Sequence, residues 1–152
     1  MIKLITLSIF IQCISILPQA KAQTSKALDV FILASEIANK NTYDMSDKVG
    51  YARSASAQYG RFLKLLSAAN DPQLIDLALT HTNGVVRLYA YQALRYRKVE
   101  IPASLMAQIK SDSSIIIIVN GCVIDRKSVS YLATKPLHII RNDFLNVGDI
   151  KH

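Results

Sequence analysis

The sequence predicts an all-α fold in which antiparallel helix pairs stack side by side, and two observations carry that expectation. At Asn70-Asp71-Pro72 a helix start is written in the side chains: Asp71 can accept the free first-turn amides, and Pro72 sits where its missing N–H costs nothing. The phrase that follows is an apolar helix, a polar break and a second apolar segment, and it recurs, with Pro72 and Pro102 standing 30 residues apart. A shift of 29 places Val86 on Ile115, Ala90 on Val119, Ala93 on Cys122 and Leu94 on Val123. Self-similarity at a period in the tens of residues marks stacked helical repeats, where each unit covers its neighbour's apolar face.

Residues 1–22 have the three parts of an export signal. Lys3 precedes a run from Leu4 to Leu17 without charge, Pro18 follows, and Ala20-Lys21-Ala22 supplies small residues before Gln23. The run is shorter than the roughly 20 apolar residues of a spanning helix and meets a proline. Cleavage near Ala22/Gln23 and delivery to the periplasm or the medium are expected. What remains, residues 23–152, is 130 residues long and suits one domain. Cleavage removes Lys3, Lys21 and Cys13 and no acid, so the formal charge falls from +7 to +5. Cys122 then has no intrachain partner, so packing must supply the stability, and Cys122 itself is read as a small buried hydrophobe.

Thr24 or Ser25 can cap a helix over 25–39, with Leu28, Phe31, Ile32 and Ser35 on one side and Val30, Leu33 and Ile37 widening the apolar arc. Such an arc must be covered on more than one side, and a second copy of the chain packing through 25–39 would do so. Asn41 to Ser46 reads as polar and irregular. Asp47 is the expected N-cap of a helical stretch through Tyr51, Ala55, Tyr59, Phe62, Leu63 and Leu66. Tyr43, Tyr51 and Tyr59 recur every eight residues and are read mainly as core. From Pro72 the helix carries Leu74, Ile75, Leu77, Ala78 and Leu79 and stops at His81-Thr82-Asn83-Gly84. At 100° per residue the next helix gathers Val86, Tyr89, Ala90, Ala93 and Tyr96 on one face, and Arg87, Tyr91, Arg95 and Lys98 on the neighbouring face. Ile101-Pro102 starts another helix with Leu105, Met106 and Ile109, and Ser111 to Ser114 forms a turn. For Ile115 to Ile124 the repeat context favours helix, whereas the β-branched run Ile115 to Val119 by itself reads as a buried strand. Ser128 can cap a short helix through Val129, Leu132 and Ala133, and residues 137–152 show no clear pattern.

Within 71–98, Asp71-Pro72-Gln73-Leu74 followed by Val86-Arg87, Ala90 and Ala93-Leu94 resembles a HEAT-type repeat, in particular the short units of about 30 residues. Residues 101–124 match in outline without the Val-Arg pair. The resemblance implies a short HEAT-like α-solenoid over 23–152. It also implies small residues where helices approach closely, and an arginine, Arg87, reaching a carboxylate such as Asp71 or Asp76. Binding rather than catalysis is what it implies for function.

The chain has no His-Glu-x-x-His, paired-cysteine, Gly-x-Ser-x-Gly or phosphate-loop motif. His81, His138 and His152 are scattered, so no metal set, cofactor or catalytic residue is assigned. The feature best suited to binding is the stripe Arg87, Tyr91, Arg95 and Lys98, with Arg97 nearby. Guanidinium forks beside a tyrosine can hold carboxylate, sulfate or phosphate, though the same pattern serves as a solvated helix face. The function expected is an exported, non-catalytic binding or scaffold module recognising another protein through its helical-repeat surface. The alternatives are a binder of acidic glycan or an anionic membrane surface, and an enzyme with an unfamiliar site using Cys122 or His81. An exported chain is not expected to meet nucleic acid.

Overall fold

Where a cap and an apolar period coincide, the expected helices form. The structure is a computed structural model that describes residues 17–135. Asn70 caps α3 (Asp71–Thr80) in a reciprocal box with Gln73, one residue before the expected cap, with Pro72 in the first turn. Asn83 accepts the amides of Val85 and Val86 and starts α4 (Gly84–Tyr96). Pro102 precedes α5 (Ala103–Ser111), and Ser128 caps α6 (Val129–Ala133) by accepting from Tyr131 N. The first helix, α1 (Leu17–Lys40), buries Val30, Ala34 and Ile37 along one stripe and leaves Leu28, Phe31 and Ile32 exposed. Ser56, not Asp47, caps α2 (Ala57–Ala68), accepting from Tyr59 N. Among the described residues no helix is long and apolar enough to cross a membrane. Residues 1–16, most of the expected export signal, and the tail from Pro136 with His138 and His152 lie outside the described residues.

The all-α expectation is overturned by a four-stranded mixed sheet. Its strands are β1 (Thr42–Val49), β2 (Ser54–Ala55), β3 (Ile115–Gly121) and β4 (Val123–Ser128), in the order β2-β1-β3-β4. β1 runs parallel to β3, pairing Thr42 with Ile117, Tyr43 with Ile118 and Asp44 with Val119; the other neighbours are antiparallel. The isoleucine run therefore obeys its own propensity: branched side chains are stiff in χ1 and fit a pleated surface, and Ile116 and Ile118 point inward while Ile115 is exposed. β1, expected as irregular, escapes notice because only Tyr43 and Met45 among its large side chains are apolar and packed on the core, amid Thr, Asp, Ser and Lys. Asp47 belongs to this strand, and Gly50, with φ of 74°, makes the following turn possible. Tyr43 and Tyr59 are core residues, but Tyr51 in that turn is almost fully exposed.

The sheet also removes the repeat. α5 begins at the second proline as expected, but the segment aligned with α4 by the shift of 29 is strand β3 and its turn, so Ala90 corresponds to a strand residue. Of the expected repeat, the helix pair α3 and α4 is present among the described residues; the HEAT-like α-solenoid is not. Gly84 marks why the second half folds against the first, since a Cβ there would come within 3.0 Å of Ile116 Cγ2 and of Val129 Cγ2. The start of α4 thus seats directly on β3 and α6.

The core joins helices to sheet around Tyr89. Its ring stacks on Phe62 at 4.9 Å and tilts against Tyr43 at 4.7 Å, and all three are fully or almost fully buried. Its hydroxyl accepts the Asp44 N–H at 2.8 Å and donates to the Asp44 carbonyl at 3.1 Å. Regular β1–β3 pairing breaks off after Asp44 and resumes only at Val49 with Gly121, so the phenol serves backbone groups at the point where the ladder stops. The Asp44 carboxylate accepts the Ser56 hydroxyl at 2.5 Å, tying the cap of α2 to the same point. Tyr89→Phe keeps the ring and strands both backbone groups, so it should cost about 1–3 kcal/mol, read as a lowered urea midpoint with an unchanged denaturant slope.

Candidate functional site

The four side chains of the basic stripe leave α4 for different destinations. Arg87 is spent inside the fold: Nε donates to Asp112 Oδ2 at 2.8 Å, Nη2 to Ser114 Oγ at 2.8 Å, and Nη1 to the carbonyls of His81 and Thr82 at 2.7 and 2.8 Å. Its carboxylate is therefore Asp112, in the turn before β3, and not Asp71 or Asp76. Asp71 pairs instead with Arg97 at 2.6 Å, whose Nη2 also donates to the carbonyls of Leu66 and Ala69. Lys98 ends the helix in the left-handed region at φ of 58° and is exposed.

Tyr91 and Arg95 do meet, in a groove of about 340 Å³ between α4, α5 and α6. Met106, Ile109, Ala133 and the Tyr91 ring give it apolar walls, and among the described residues Arg95 and Lys110 are its only charged lining residues. Arg95 lies 5.9 Å from the centre of the Tyr91 ring, and its Nη1 donates to the Ala133 carbonyl at 2.8 Å. Ser130 and Thr134 also line the groove, but their hydroxyls are engaged with Ser128 and the Tyr131 carbonyl. Sequence periodicity could find Tyr91 and Arg95 on one helix; the contribution of α6 comes through tertiary packing that no local pattern records.

A second surface is the sheet edge. Among the described residues no strand pairs with the outer side of β4. The sheet face turned away from the helices shows Ile115, 66% exposed, half-buried Ile117 and Val119, and Ile124, 72% exposed. Register puts Ile124 beside Val119 and Arg126 beside Ile117 on that face. Asp125 pairs with Lys127 at 2.9 Å, which leaves Arg126 without a side-chain partner among the described residues. Cys122, expected to be buried, is exposed in the β3–β4 turn, because a two-strand hairpin turns there at Gly121, whose φ is 57°.

His81 closes α3, and its Nδ1 accepts the Asn83 N–H at 3.1 Å. Burial, with the Arg87 guanidinium adding to it, holds this imidazole below its usual 6.5. Burial also acts to raise the Asp112 carboxyl, but hydrogen bonds from Ser114 and the Arg87 guanidinium outweigh it and hold the group below the ordinary carboxylate value. Among the described residues no group of three or more His, Cys, Asp and Glu side chains is placed to hold a metal ion.

Both lowered values carry the same sign. The folded state binds the proton less well than the unfolded chain, so each group's contribution is complete above its unfolded pKa and is lost as pH falls through the folded one. Urea midpoints should therefore fall as pH drops below about 6.5, and His81→Gln should flatten that part of the profile. Asp112→Ala leaves Arg87 with unmatched donors in a largely buried place and should cost on the order of 3 kcal/mol at neutral pH.

No known protein family, curated protein or solved structure matches this chain.

Proposed function

We propose that this protein is an exported, non-catalytic binding module that recognises another polypeptide by adding it as a strand to the outer edge of β4. The observation that carries the reading is an edge and face uncovered by any of the described residues: among them β4 ends the sheet, and beside it lies the apolar strip of Ile115, Ile117, Val119 and Ile124. A strand edge offers main-chain donors and acceptors to any extended segment, and alternate side chains give the specificity. On the open face that specificity is set by Ile124 and by Arg126, unpaired among the described residues, which suit a segment carrying an apolar and an acidic residue two positions apart, so that both project from one face. The mature chain's charge of +5 favours the same partner. The basic stripe offers less to an acidic glycan or membrane surface, since Arg87 and Arg97 are taken up within the fold.

A peptide of the pattern Thr-Val-Thr-Glu-Thr-Val, which sets valine and glutamate on one face, provides the test. Added to the full chain, it should slow hydrogen exchange at the backbone amides of residues 123–128, and Arg126→Glu should weaken binding several-fold. Unchanged exchange in β4, equal binding by the Arg126→Glu variant, or concentration-dependent pairing of β4 with a second copy in the absence of peptide would overturn the proposal.

A further inference from the structure

The groove between α4, α5 and α6 is separate from the sheet edge and independent of the strand-addition reading. We infer that it is a binding site for a small organic carboxylate with an apolar body, the head held by Arg95 and Lys110 and the body lying on Met106, Ile109 and Ala133.

The argument begins with the guanidinium. Arg95 uses Nη1 alone on the fold, for the carbonyls of Ala133 at 2.8 Å and Lys135 at 3.4 Å. Nε and Nη2 have no partner among the described residues, and these two N–H groups form the side of the fork that accepts a carboxylate with two parallel hydrogen bonds. The bonds to α6 and the contact with the Tyr91 ring hold the fork in place before any ligand arrives, which lowers the ordering cost of binding. Lys110 supplies a second cation and is in no ion pair among the described residues. Among the described residues no carboxylate lines the groove, so a ligand anion meets no like charge from them.

The walls decide the rest of the ligand. A free inorganic anion would find two cations but would leave the half-buried Met106 side chain against water, whereas an alkyl or aryl body covers it. A volume of about 340 Å³ falls at the low end of ordinary small-ligand sites.

Octanoate is the probe, with octanamide as its neutral counterpart, and the methyl NMR signals of Met106 and Ile109 in the full chain report on this groove alone. Octanoate should shift both signals saturably, and octanamide should bind at least about tenfold more weakly, because it loses the charge-assisted bonds. Arg95→Gln should weaken octanoate about tenfold on the same grounds. Lys110→Gln, which removes a side chain that is in no ion pair among the described residues, should weaken it about threefold and keeps the test sound if the arginine variant loosens α6. Absence of a saturable shift, equal affinity for octanamide, or unchanged octanoate affinity in both variants would overturn the proposal.

Discussion

The hydroxyl of Tyr89 is the point on which the two halves of this protein depend. A helix pair and a mixed sheet must share one core, which the sheet reaches through Ile116 and Ile118 of β3 and through β1, whose sequence is mostly polar. Pairing between β1 and β3 lapses after Asp44. A break in a ladder inside a protein leaves main-chain groups that water cannot reach, and each such group is costly. One phenol on α4 meets both the donor and the acceptor of Asp44, while its ring fills the space between Phe62 and Tyr43. Burial raises the pKa of this phenol well above its ordinary value, so it stays neutral and keeps its dual role as donor and acceptor.

Two arginines do comparable work at the ends of the helices. Arg87 binds the end of α3 to the turn before β3, and Arg97 binds the end of α2 to the start of α3. Each answers carbonyls that a helix end or turn leaves unpaired. The chain's basic character is thus partly internal, and of the cations that face outward Arg95 and Lys110 line the groove while Arg126 borders the sheet edge. Their placement separates two surfaces, a strand edge bordered by isoleucine and a groove with apolar walls.

The helices were legible because their signals are local. Proline at the start of α3, Ser128 before α6 and the spacing of Val86, Tyr89, Ala90 and Ala93 in α4 each act within a few residues. The sheet was not legible, because its central pairing joins residues 42–44 to residues 117–119 across most of the chain. At Ile115 to Val119 propensity and apparent periodicity disagreed, and the similarity to the α3–α4 pair outweighed the β-branched run that proved decisive. Arg87 shows the same limit: the residue was identifiable as a clamp, yet its partner Asp112 sits in a turn whose position depends on β3. Half of the basic stripe, Tyr91 and Arg95, came together in the groove, and the rest of that site waited on the placement of α5 and α6.

The most direct measurement is a set of backbone proton contacts by NMR across residues 42–44 and 115–119. The account predicts inter-strand contacts that place Tyr43 beside Ile118 in a parallel register, and a slowly exchanging Asp44 amide. Sequential amide-to-amide contacts running through Ile115 to Val119, the signature of a helix, would contradict it.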